Sequence, residues 1–315
     1  MTSRPWRAGL AMVASAIVGA ACGGGTTGTT TSTSAAPSAT AVVVHPRDVI
    51  AAPVAVADTA DGAVGYRRIG SGSPLVLLMG LGGSIDDWAP SFVATLATRH
   101  DVVVPDNGGV GRTASPASPL TVSAMADQTS ALITTLGLGR VEVLGWSMGG
   151  MVAQALAVRH PAHVSKIVLA ATQPGTGRAV PIPAAAPADA ASADPAAVLS
   201  VLFPSSAAAS EHTYVDAIVR YRSFYVAPRA TVVAQVQAVE QWIAGSDPDG
   251  ARFGTVRFPT LVADGTEDAL NPSTNARMLA DAMPGARLVL YPGAGHGFLF
   301  QDAASFLPSV ESFLG

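Results

Sequence analysis

One cysteine, Cys22, and one lysine, Lys166, stand in a chain of 315 residues. A lone cysteine permits neither an internal disulfide nor a cysteine-built metal site. Charge is sparse too: 13% of residues are Asp, Glu, Lys or Arg, the net charge is −4, and no basic run leaves an electrostatic footprint for nucleic acid. What the chain has instead is apolar residues, 49% of the total, together with 32 Gly and 23 Pro. That apolar share is ample for a sizeable core. The glycines and prolines are unevenly spread, and their distribution divides the chain.

Arg4 and Arg7 precede an apolar run over residues 10–21, which falls short of the roughly 20 residues a membrane-spanning helix needs and suits the core of an export signal. The run closes on Gly19-Ala20-Ala21-Cys22, which resembles the lipobox of bacterial lipoproteins, where the cysteine is lipidated and becomes the new N-terminus. Gly19 departs from that pattern, which carries an aliphatic residue three places before the cysteine. The competing expectation is a plain signal peptide cut near Ala21, with Cys22 incidental. Residues 23–40 are Gly, Thr, Ser, Ala and Pro, without charge or bulky apolar groups. Such a stretch cannot bury enough surface to offset its ordering entropy and reads as a flexible tether. The organisation expected is therefore a signal peptide over 1–21, and a lipidated cysteine with tether over 22–53. Export to the cell envelope with a membrane partner through Cys22 follows from it, with secretion as the alternative.

From residue 54 onward, short β-rich runs alternate with amphipathic segments. The runs lie at 54–57, 63–69, 75–79, 102–104, 141–144, 166–170, 260–263 and 287–290; helices are expected over 88–98, 122–136, 148–159, 272–282 and 303–313. Several runs are continuously apolar, as parallel strands buried on both faces are. The fold class predicted is α/β, with a mostly parallel central sheet flanked by helices. Between 172 and 258 the alternation stops, and helical stretches around 210–224 and 230–243 point to a helical insertion between two parts of the core, 54–171 and 259–315.

Gly145-Trp146-Ser147-Met148-Gly149 has the G-x-S-x-G form. The match alone is weak in a Gly-rich chain, but a predicted strand runs into it and a predicted helix runs out, the context in which a sharp turn lifts a serine hydroxyl clear of the backbone. Ser147 is thus the candidate nucleophile; a helix N-cap serine is the alternative. A serine hydroxyl needs a neighbouring base, itself oriented by an acid. Of six histidines, only His296 lies in a Gly-rich loop after the last predicted strand, and it is the candidate base. Asp268 is the candidate acid, being beyond both the seventh strand and Gly265; Asp264, at the strand's end, reads as structural, and Glu267 as a surface charge.

The order Ser147, Asp268, His296, with its strand and helix context, resembles the α/β-hydrolase superfamily over residues 54–315. The segment 77–88 is similar to that family's oxyanion loop, with Met79-Gly80 where His-Gly is usual, and 104–113 is similar to its D-x-R-G-x-G-x-S/T segment, with Gly108 where an arginine is common. The resemblance implies that the N–H groups of Leu81 and Met148 form the oxyanion hole, that 172–258 is the lid, and that neither cofactor nor metal is required. It implies a serine hydrolase acting on a small acyl substrate, carboxylesterase-like or lipase-like. Haloperoxidase-like, carbon–carbon-bond-hydrolysing, peptidase and non-catalytic lipid-binding versions of the fold stay open. Tyr214, Tyr221, Phe224, Tyr225 and Trp242 are expected chiefly to pack the lid onto the sheet, and Arg220 and Arg222 to be solvated.

Overall fold

The computed structural model describes residues 43–182, 194–222 and 224–315. The expected export signal, Cys22 and most of the tether lie outside these residues. Eight strands form one sheet: β1 (Ala55–Thr59), β2 (Gly62–Gly70), β3 (Ser73–Leu78), β4 (His100–Pro105), β5 (Val141–Trp146), β6 (Val164–Ala170), β7 (Thr260–Gly265) and β8 (Arg287–Tyr291). Their order is β1-β2-β4-β3-β5-β6-β7-β8, with β2 antiparallel to both its neighbours and every other pairing parallel. The chain therefore has the α/β-hydrolase fold. Each strand coincides with an expected run, because valine, leucine and isoleucine dominate the buried centre: Val76, Val103, Val143 and Val168 are fully buried.

Helices cover both faces. On one side, α3 (Val122–Thr135) and α4 (Met148–Arg159) share a core with Leu279 of α8 (Thr274–Ala282). On the other, Phe92 of α2 (Pro90–Leu96) stacks on Phe306 of the C-terminal α10 (Ala303–Leu314), with ring centroids 6.2 Å apart. The Thr121 hydroxyl caps α3 by accepting the Ala124 N–H at 3.0 Å, which accounts for its sharp start.

Between β6 and β7 the described chain holds no strand and three α-helices: α5 (Pro195–Leu202), α6 (Ala208–Ile218) and α7 (Arg229–Ile243). Helix α5 was not expected; Asp194 caps it by accepting the Ala196 N–H at 3.0 Å. The tether expectation over 22–53 needs a correction at its end. Helix α1 (Pro46–Ala51) lies there, closed by the Asp48 carboxylate accepting the His45 N–H at 2.8 Å, with Val49 buried. Arg67 Nε ties it to β2 through the Ala52 carbonyl at 3.0 Å. The folded body thus starts before residue 54: one buried valine and one buried arginine anchor this short segment.

Candidate active site

The parallel register places the candidate residues at one edge of the sheet. Strand β5 ends at Trp146 and α4 begins at Met148, so a single residue, Ser147, makes the turn. Its φ of 56° and ψ of −122° lie where a residue with a side chain is strained, at a cost of about 1–3 kcal/mol. Ser147 occupies the N-cap position of α4 yet makes no side-chain cap bond, so the N-cap alternative does not account for it. The turn closes only because both flanking motif residues lack a Cβ. A Cβ on Gly145 would sit 2.3 Å from the Gly149 carbonyl oxygen, and one on Gly149 would sit 2.0 Å from the Leu78 carbonyl oxygen. The same contact brings the start of α4 against the end of β3.

Strands β7 and β8 are neighbours, with Gly265 opposite Tyr291. Their following loops are laced together: Thr266 N–H donates to the Tyr291 carbonyl at 3.0 Å, and Glu267 N–H to the Ala294 carbonyl at 2.9 Å. Asp268 and His296 therefore meet, with Asp268 Oδ2 2.7 Å from His296 Nδ1 and both residues buried. The other Asp268 oxygen accepts the N–H groups of Leu270 and Asn271, each at 2.7 Å. An anion held by two amides and an imidazole N–H is fixed in orientation. Trp146, the neighbour of Ser147, donates its indole N–H to the His296 carbonyl at 3.0 Å, and the two rings lie 5.8 Å apart. The end of β5 is thus in direct contact with the histidine loop.

Asp264 is fully buried, with Oδ1 accepting the Gly265 N–H and Oδ2 the Asn271 side-chain amide. Burial, and after it the neighbouring Asp268 charge, push its carboxyl well above the usual range.

Met148 is the first residue of α4, so helix geometry supplies no acceptor for its N–H. Leu81 follows Gly80, where an added Cβ would lie 3.3 Å from the Ser147 Cβ, so the loop after β3 borders the serine. That loop is held from below. Asn107 Nδ2 donates to the Met79 carbonyl at 2.7 Å, Asp106 Oδ1 accepts the Ile85 N–H at 2.8 Å, and Arg67 pairs with Asp86 at 2.9 Å with both side chains buried. Burial raises the Asp106 carboxyl to about 6, outweighing the opposing pull of the Ile85 and Arg112 amides and the Arg67 charge. A carboxyl raised on folding stabilises below its unfolded pKa of about 4, and that contribution is lost as pH rises through 6. The stability difference between the natural chain and Asp106→Asn, from urea unfolding, should accordingly be larger at pH 5 than at pH 7. A difference that grows in the other direction would refute this.

The lid aromatics act as packing and as anchors. Tyr214 Oη donates to the Asp87 carbonyl at 2.9 Å, Tyr221 Oη to the Trp88 carbonyl at 3.0 Å, and Trp242 Nε1 to the Gln173 carbonyl at 3.2 Å. Arg220 and Arg222 are exposed, as expected. Of the other histidines, His160 pairs with Asp127 at 2.6 Å, His163 meets the Ser130 hydroxyl at 2.9 Å, and buried His100 sits between Ser73 and Glu142, all away from the serine turn in the fold. Among the described residues, no group of three or more His, Cys, Asp or Glu is arranged to hold a metal ion. Gln235, Asn107 and Asn271 were not singled out from sequence; a buried amide in a helix or loop leaves no spacing signature.

Comparison with known proteins bears on the same residues. The model of the alpha/beta hydrolase fold family matches residues 73–303. A protein of Caulobacter sp. strain K31 named as a carbamate hydrolase, RutD, is 32% identical over 260 residues, 76% of this chain and 90% of that protein. Among solved structures, an alpha/beta hydrolase fold protein from Chitinophaga pinensis superposes with a TM-score of 0.75 at 25% identity, covering 84% of this chain and 97% of that one. The enol-lactonase from Burkholderia xenovorans LB400 gives a TM-score of 0.68 at 26% identity, covering 82% and 99%.

Proposed function

The chain belongs to the alpha/beta hydrolase fold family, and from that membership we propose that it is a serine hydrolase cleaving a carboxylic ester or related acyl bond through an acyl-enzyme on Ser147. The observation that carries this reading is the buried 2.7 Å pair of His296 and Asp268 beside the strained, uncapped Ser147 turn. In the reaction, Ser147 Oγ attacks the substrate carbonyl as its proton passes to His296 Nε2, while Asp268 holds Nδ1–H and stabilises the imidazolium. The Leu81 and Met148 N–H groups receive the developing oxyanion. Collapse of the tetrahedral adduct breaks the acyl bond, His296 returns the proton to the departing group, and water repeats the sequence to free the acid. The relatives named carbamate hydrolase and enol-lactonase support extending the substrate class from simple esters to carbamates and lactones, since each presents an acyl carbon to the same attack.

The reading extends to location: an exported protein with diacylglycerol on Cys22, supported by the apolar run before that cysteine and the Gly- and Thr-rich segment after it. Among the described residues no helix is long and apolar enough to cross a membrane. One experiment addresses both parts. Envelope protein treated with a fluorophosphonate, digested and weighed by mass spectrometry, should carry the probe on Ser147 and acyl chains on Cys22. Folded protein without probe would sink the hydrolase reading, and an unmodified Cys22 would sink the anchor.

A further inference from the structure

One side chain of the lid reaches the oxyanion loop directly. Gln235, in the middle of α7, is fully buried. Its Oε1 accepts the Gly82 N–H at 2.8 Å, and its Nε2 donates to the Gly108 carbonyl at 3.2 Å. Both partners belong to loops that are also joined through Asn107 to Met79 and Asp106 to Ile85. The flanking residues of α7 follow the same two loops. Val232 lies 3.6 Å from where a Gly82 Cβ would be, and the Thr231 hydroxyl donates to the Gly109 carbonyl at 3.1 Å. Gly82 itself has a φ of +72°, a conformation in which its N–H direction depends on what holds it.

We propose that Gln235 is a positioning residue that sets the oxyanion loop, so that Leu81 N–H is aimed only while the lid is seated; the inference rests on the hydrolase reading above. The Gly82 N–H belongs to the peptide unit directly after Leu81. Fixing it fixes the backbone on the C-terminal side of the Leu81 donor, as the abutment of Gly80 on Ser147 fixes the N-terminal side. An amide is the one uncharged side chain of this length that accepts from one loop and donates to the other. Without it, a half-buried N–H and a buried carbonyl lose their partners, and the loop can relax toward whichever new acceptor is nearest. A donor displaced by a fraction of an ångström binds the ground-state carbonyl almost as before, but binds the oxyanion poorly.

The test uses the full chain with Gln235→Met, of similar size but without hydrogen bonds, and Gln235→Glu. Each is assayed with p-nitrophenyl butyrate and a limiting fluorophosphonate, whose phosphoryl oxygen enters the oxyanion position; a thermal melt reports folding. For Gln235→Met, kcat and the phosphonylation rate should both fall about 10²-fold, with KM within about threefold of the natural chain. For Gln235→Glu, activity relative to the natural chain at the same pH should be nearly full at acid pH and decline as pH rises. Only the protonated carboxyl can donate to Gly108 while accepting from Gly82, and this limb should be absent from the natural chain. Should Gln235→Met not fold, the pH profile of Gln235→Glu decides alone. Phosphonylation at the natural rate in the folded variants, or a loss confined to KM, would overturn the inference. A natural chain that does not react with the probe would instead overturn the proposed function, and this inference with it.

Discussion

Replacing Asp268 with asparagine is expected to lower kcat/KM for a p-nitrophenyl ester by about 10⁴-fold, and His296→Ala by about 10⁴- to 10⁶-fold. The expectation for Asp268 follows from its neighbours. One oxygen already accepts two backbone N–H groups, from Leu270 and Asn271, so an asparagine must turn its carbonyl toward them. Its NH₂ then faces His296 Nδ1, which can only accept, and the ring is driven to the tautomer with hydrogen on Nε2. That tautomer cannot take the Ser147 proton. The loss should fall on kcat with KM little changed, since no substrate contact is removed. Activity above about a tenth of the natural value in a folded Asp268→Asn would contradict the role given to this residue.

The second large effect is on stability. Gly149→Ala should destabilise the protein by about 3 kcal/mol or more, lowering the thermal midpoint by roughly 6–12 °C for a domain of this size. The added Cβ would meet the Leu78 carbonyl oxygen at 2.0 Å, its carbon at 2.5 Å and the Met79 carbonyl oxygen at 2.8 Å. None of these atoms is the tip of a side chain that can swing away; all are main-chain atoms at the end of β3, where Leu78 pairs with Gly145 of β5, or of Met79 directly after it. Relief requires α4 to move off the sheet, taking Ser147 with it, so fluorophosphonate labelling should fall together with the melting temperature. An alanine variant that melts within about 2 °C of the natural chain and labels at the natural rate would refute this steric account.

What could be read from the sequence divides along a physical line. The eight strands were legible as short β-rich runs, the central β3 to β7 as mostly buried aliphatics, and α4 was legible to its end residues because the G-x-S-x-G turn and Arg159 bound it. Strand ends were less so: His100 and Asp101 begin β4 as polar residues, paired with Ser73 and Pro74, and carry no aliphatic signal. Ser147, Asp268 and His296 could be singled out because the candidate nucleophile, acid and base each follow a strand. The pairing of Asp268 with His296 depends on β7 and β8 being adjacent, which the chain order does not state. Helix α1 escaped because it is only six residues long and its anchor outside the helix, Arg67, reaches it from β2, 15 positions along the chain from Ala52. Gln235 escaped for the same kind of reason. Its partners, Gly82 and Gly108, are more than a hundred residues away and are recognised only through backbone atoms.

The insertion also touches the loop that carries His296. After α5, the Leu202 carbonyl accepts the Gly297 N–H at 2.8 Å, and a Cβ on Gly295 would lie 2.7 Å from that same oxygen. The loop carrying the imidazole is thus hydrogen-bonded on its outer face to a segment that would ordinarily be exchanged to change substrate preference. An engineer who grafts a foreign lid between residues 172 and 258 therefore inherits a constraint at the seam. The graft has to offer a main-chain carbonyl at the place of Leu202, or the recipient scaffold loses the outer brace of its His296 loop.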